Sequence, residues 1–204
     1  MEFYEAVKNR RIVREWSSAP VSEEALKRIL DAGLAAPTNN HMRDWAFIVL
    51  QSEEEKENAL QFVKHWAQIQ GENRVLSGDR PEQKMYQYAM PRQYTMLKDA
   101  PYVIIPLFKA GEGLFRATAV NGLNLFASIW CVIENIFLAA SAEGLACSMR
   151  IPVGSEGRDV CGVLGVPEGY MMACYIGIGA PDEDAEALEQ YTYTAEEKMH
   201  RGRW

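Results

Sequence analysis

Arg10, Arg11 and Arg14 fall within five residues near the start of a 204-residue chain whose formal net charge is −7. A guanidinium stays charged at any working pH, and its rigid fork of donors matches phosphate oxygens in pairs. The chemistry such a cluster serves best is retention of a phosphate-bearing ligand. Taken alone, a short basic run is more often a solvated turn. Here the far end of the chain is basic as well, through Lys198, His200, Arg201 and Arg203. A ligand phosphate accounts for basic residues at both ends of an acidic chain.

Two other stretches carry polar chemistry. Pro37-Thr38-Asn39-Asn40-His41-Met42-Arg43-Asp44-Trp45 is rich in hydrogen-bonding groups, and Arg150 to Gly157 is a second loaded loop in which Gly154 permits close backbone approach. Arg150 is open between a cofactor contact and a surface position at a strand end. His65 reads as structural, whereas His41 is balanced between a structural and a ligand-facing role.

Other chemistries are unsupported. There is no Gly-x-Ser-x-Gly, no histidine pair at metal-ligand spacing and no Gly-x-Gly-x-x-Gly after a strand. Cys131, Cys147, Cys161 and Cys174 lie in apolar surroundings without Cys-x-x-Cys spacing and read as small buried thiols of a reducing compartment. A pI near 5.1 argues against a general nucleic-acid binder. The N-terminus carries no signal-peptide pattern, and the longest apolar run, Ile129 to Ala142, is interrupted by Glu134 and Asn135. The expectation is a cytoplasmic protein with no membrane and no nucleic-acid partner.

The elements that position these residues follow from periodicity. Glu2 to Asn9 predicts a short helix with Phe3, Ala6 and Val7 on one face. Ser22 predicts an N-cap for an amphipathic helix from Glu23 to Ala35, stopped by Pro37. Strands are expected at Ala46 to Leu50, Tyr102 to Phe108, Ala146 to Met149 and Met171 to Gly179. Glu53 to Gln70 reads as a helix, and Arg158 to Leu164 as a short one. Asn121 to Ala142 predicts a helix apolar on nearly all sides, which a second copy of the chain would help to bury. Lys109 to Arg116 reads as a Gly-containing loop. The chain is read as one domain over residues 1–204, with about 71–95 as a lid or a surface excursion and about 182–204 as a C-terminal extension.

Taken in order, Arg-Arg-x-x-Arg, the Pro-Val-x-x-Glu-x-Leu helix, Ala-Pro-Thr with its polar loop, Trp45 and an apolar strand resemble the opening of the nitroreductase family of FMN-dependent oxidoreductases. Asp99-Ala100-Pro101, Glu134-Asn135 with its Leu-Ala-Ala continuation, and Val166-Pro167-Glu168-Gly169-Tyr170 extend the resemblance over most of the chain. Departures are Ile12 for a common Ser, and His41, Arg43 and Asp44 in the polar loop.

The resemblance implies an α+β fold, with a central, mostly antiparallel sheet flanked by helices in an intertwined homodimer. It implies FMN, with NADH or NADPH as transient donor and a flat electron-poor acceptor of nitroaromatic or quinone type. The implied cofactor residues are Arg10, Arg11, Ile12, Arg14, Pro37, Thr38, Asn39, His41, Gln93, Ile151, Pro152, Val153 and Gly154, with Arg201 or Arg203 joining from the tail. Arginines of one chain would meet Pro37 to His41 of the other. Arg11 or Arg14 would stabilise charge on the reduced ring, and an amide near Val153 or Gly154 would face flavin N5. No side chain is required as acid or base. Met42, Trp45 and Tyr94 are candidates for shaping the acceptor pocket. Alternatives are a dehalogenase or flavin-modifying relative, and a flavin-binding protein without turnover.

Overall fold

The computed structural model describes residues 1–73, 78–110 and 114–204. The helices are α1 (Phe3–Asn9), α2 (Glu23–Leu34), α3 (Glu53–Asn73), α4 (Pro81–Ala89), α5 (Thr95–Lys98), α6 (Asn124–Ala142), α7 (Glu156–Val163) and α8 (Ala195–Lys198). The strands are β1 (Trp45–Leu50), β2 (Tyr102–Lys109), β3 (Ala146–Arg150), β4 (Tyr170–Met172) and β5 (Tyr175–Gly179). Sheet order is β1-β2-β5-β3, with β4 also on β2, and every strand pair is antiparallel. The expected α+β class and mostly antiparallel sheet are therefore present.

Strand β2 divides the core because successive side chains alternate between faces. Tyr102, Ile104 and Phe108 join α2 and α6, with Leu26, Ile29, Ile133 and Ile136, on one face. Val103, Ile105 and Leu107 join α3, α5 and α7, with Leu60, Val63, Leu97 and Val160, on the other. Ser22 caps α2 as expected: its hydroxyl accepts from the Ala25 amide at 3.1 Å. Asn135 fastens α6 to α2 by donating to the Ala32 carbonyl at 3.0 Å.

Several expectations are corrected. The run from Met171 to Gly179 is two strands, because the antiparallel pairing on β2 slips by one residue between Leu107–Met172 and Ile104–Ile176; the Ala173 amide at the offset donates to the Pro106 carbonyl at 2.9 Å. Residues 81–89 of the polar excursion form α4, started by Pro81 in its first turn. Residues 74–77 of that excursion and 111–113 of the Lys109 to Arg116 loop lie outside the described residues. In α1 only Ala6 is buried; Phe3 and Val7 face solvent. The outer stripe of α6 leaves Leu123, Phe126, Cys131 and Glu134 exposed, so the helix is not buried all round in one chain. Cys131 is thus an exposed thiol and Cys161 a partly exposed one; Cys147 and Cys174 are buried. His65 is exposed too, edge-on to Trp66. With its preceding turn, Val120–Ala142 is long and apolar enough to cross a membrane by length and composition, contrary to the shorter run counted above. Its inner face packs on α2 and the sheet as a core helix.

Candidate functional site

The arginine stretch lies along the open edge of the sheet. Ile12 forms a parallel bridge to Cys147 on edge strand β3, and the Val13 amide donates to the Cys147 carbonyl at 2.9 Å. Parallel pairing sends Arg14 toward the end of β3 that leads into Ile151, Pro152, Val153 and Gly154. Arg10 is left beside the beginning of the strand.

The three arginines differ sharply. Arg10 is half-buried, 3.9 Å from the Glu134 carboxylate, and lines a cavity of about 290 Å³ with Arg11, Leu145 and Ala146. Arg11 is exposed and donates to the Leu188 carbonyl of the tail at 2.6 Å. Arg14 is half-buried, and its Nε is enclosed without any hydrogen-bond acceptor. Desolvation holds its guanidinium below the usual arginine value, while Tyr88 and Glu15 act in the other direction.

Around Arg14 stands a cluster that sequence reasoning missed. The Arg14 guanidinium carbon lies 5.7 Å from the centre of the Tyr88 ring, and that of Arg92 lies 4.0 Å from it. The Tyr88 hydroxyl donates to Glu15 Oε2, and Arg92 Nε donates to Glu15 Oε1 at 2.6 Å. Burial, with the Glu15 hydrogen bond adding to it, pushes the Tyr88 phenol up to about 12. The local signal was an acid directly after the third arginine; its partners lie more than seventy residues away and have no spacing to reveal them.

Gln93, next to Arg92, accepts from Arg150 Nη1 at 3.2 Å. Arg150 is buried, neither a surface residue nor free to meet a ligand, because it pairs with Glu156 at 2.7 Å. Glu156 Oε2 in turn accepts from the Val153 amide at 3.3 Å. Of the two amides expected to face a flavin, that of Val153 is therefore engaged, whereas Gly154 N–H has no partner among the described residues. Gly154 has φ +56°, and a Cβ there would stand 2.8 Å from Trp66 of α3.

The Pro37 to Trp45 loop is elsewhere. The Asn39 amide donates to Ser128 Oγ at 3.2 Å, and its side-chain oxygen accepts from Asn124 at 3.2 Å. These anchors sit six to ten residues before Glu134 on α6, roughly 9–15 Å along the axis. Asn40, His41 and Arg43 all have positive φ, 51°, 55° and 50°. Left-handed backbone at non-glycine residues is costly and clusters at functional sites. Pro37, His41 and Met42 are exposed, and Thr38 is half-buried. Trp45 packs on the α2–α6 face and Tyr94 on the opposite face, so these two do not share a pocket wall in one chain. Arg201 and Arg203 are exposed and make no ion pair among the described residues. No cluster of three or more metal-ligating side chains occurs among the described residues.

The site thus brings together an arginine run on a sheet edge and a loop whose Gly154 amide has no partner among the described residues. Residues 7–179 match the Nitroreductase family, and the chain belongs to it. It is 28% identical over 182 residues to iodotyrosine deiodinase of Daphnia pulex, covering 88% of this chain and 59% of that protein. It is 25% identical over 211 residues to a putative NADH dehydrogenase/NAD(P)H nitroreductase of Methanothermobacter thermautotrophicus, covering 100% of this chain and 88% of that one. Among solved structures, iodotyrosine deiodinase bound to FMN and 3-iodo-L-tyrosine superposes with a TM-score of 0.77 at 18% identity, over 100% of both chains. That likeness establishes the fold.

Proposed function

We propose that this chain is an FMN-dependent oxidoreductase working as a homodimer. The observation that carries the reading is Arg14 Nε, a desolvated cationic donor with no acceptor among the described residues. Leaving such a donor unpaired is costly, and an anionic or carbonyl oxygen of a ligand relieves the cost. FMN supplies the electron chemistry when bound, accepting hydride from NADH or NADPH and passing electrons on.

The chain's own residues do the binding and orienting. Arg10 and Arg11 hold the phosphate, with Arg201 or Arg203 as further candidates from the tail, and Ile12 keeps the stretch in register on β3. Arg14 donates to the polar edge of the ring. Ile151, Pro152 and Val153 would form a wall beside the bound flavin, and the Gly154 amide would be available to donate a hydrogen bond to it. Gln93 braces that wall through Arg150. The distance along α6 between Arg10 and the Asn39 anchors supports a site completed in trans, with Pro37, Thr38, Asn39 and His41 contributed by the second copy. Exposed Phe3, Tyr4, Leu123 and Phe126 give such a dimer apolar surface to bury. The chain works as a single-domain unit, and four free thiols suit a reducing, cytoplasmic setting.

The acceptor is a flat, electron-poor aromatic of nitroaromatic or quinone type. A second reading, reductive dehalogenation of a halogenated phenol, is favoured by the deiodinase relatives. Anaerobic reduction with NADH or NADPH, followed by a panel of nitroaromatics, quinones and halophenols, tests both. Nitro or quinone turnover without halide release supports the first reading, and halide release with near-zero nitro reduction supports the second. A protein that takes up no FMN removes both.

A further inference from the structure

We infer that Tyr88 and Glu15 are positioning residues that act on the flavin through Arg14. This rests on the FMN reading above. Among the described residues no carboxylate is bonded to Arg14: the neighbouring Glu15 is held by Tyr88 and Arg92 instead. The Tyr88 ring neighbours two guanidiniums, its centre 5.7 Å from that of Arg14 and 4.0 Å from that of Arg92. Arg92 Nη1 donates to the Tyr88 carbonyl at 3.1 Å, fixing the end of α4 from which the ring projects.

The consequence for Arg14 is specific. A carboxylate directly on its guanidinium would neutralise it and fill its donors; an aromatic face attracts the cation without consuming a single N–H. Glu15 still supplies negative potential nearby, so the charge is tolerated away from water while Nε stays open. Through Arg92 and Gln93 the same segment reaches Arg150, so α4 and its following turn brace both the arginine stretch and the Ile151–Gly154 wall. The ring thus keeps a half-buried guanidinium charged and aimed, with its enclosed Nε unsaturated.

The test is a double-mutant cycle on FMN affinity, with thermal unfolding of each apoprotein followed alongside. Wild type, Tyr88→Phe, Tyr88→Leu, Arg14→Gln and Arg14→Gln/Tyr88→Leu are each titrated with FMN. Tyr88→Phe, which keeps the ring, is expected to weaken binding about threefold, and Tyr88→Leu about tenfold. In the Arg14→Gln background, Tyr88→Leu is expected to change affinity by less than about twofold, because the residue through which it acts is gone. Independent, multiplicative losses would overturn the inference, and so would an unchanged affinity in Tyr88→Leu. If wild type itself binds no FMN, the functional reading fails first, and this failure is distinct from additive losses in a chain that does bind.

Discussion

Arg150 and Glu156 face each other across the turn at Ile151–Ser155 as a two-point pair. Nη2 stands 2.7 Å from Oε2 and Nε 3.1 Å from Oε1, with both side chains almost wholly enclosed. Glu156 also accepts from the Val153 amide, so one carboxylate fixes both the strand end and the loop that follows it. The loop's shape therefore depends on a tertiary ion pair more than on its own sequence.

Removing one partner of a buried pair leaves the other charge uncompensated. Glu156→Gln is expected to destabilise the chain by about 3–5 kcal/mol, read as a lowered urea midpoint. Replacing both, as Arg150→Met/Glu156→Leu, should recover most of that stability. A Glu156→Gln variant as stable as wild type would contradict the assignment.

Much of this was readable from residue types and much was not. Ser22 announced its helix because a cap is a local signal, and the continuous apolar run from Tyr102 to Phe108 announced a strand. Arg14 was legible as a cation, but Tyr88 beneath it was not, since nothing local links a helix in a polar excursion to the N-terminal turn. Arg150 was open between surface and cofactor because a buried pair at a separation of six has no periodic signature. The unbroken apolar run from Met171 concealed the one-residue slip in pairing on β2 that divides it into β4 and β5. Phe3 and Val7 were legible as one face of a short helix, but an apolar face does not say whether its cover is the same chain or another.

Gly154 combines a left-handed backbone with the close approach of Trp66. Gly154→Ala is expected to cost about 1–2 kcal/mol from the backbone alone, with the clash added to it. In a Trp66→Leu background the same substitution should cost less, though not nothing. Equal costs in the two backgrounds, measured by chemical denaturation, would dismiss the contact.

Tyr88 supplies a pH prediction. Its phenol is raised from 10.0 to about 12, so the folded chain holds that proton after the unfolded chain has released it. The stabilisation is complete below pH 10 and fades as pH rises from 10 to 12. Ultraviolet titration should therefore show a late-ionising tyrosine that Tyr88→Phe removes, along with part of the alkaline loss of stability. A Tyr88→Phe chain with the same titration curve and the same alkaline stability would refute this.

A site completed in trans makes a stoichiometric prediction. Chains carrying Arg10→Gln/Arg14→Gln and chains carrying Asn39→Ala/His41→Ala should each bind FMN poorly as pure homodimers. Unfolded together and refolded as an equal mixture, they should regain binding at about a quarter of the sites, since half the dimers are mixed and one site in each is intact. No recovery would place both sets of residues within one chain.

The central claim is that the arginines on the β3 edge hold FMN, and calorimetric titration of the apoprotein tests it most directly. The expected result is one FMN per chain for wild type and at least a hundredfold weaker binding, about 2.7 kcal/mol, for Arg10→Gln/Arg14→Gln with its fold intact by circular dichroism. Equal affinity in the two proteins would contradict it.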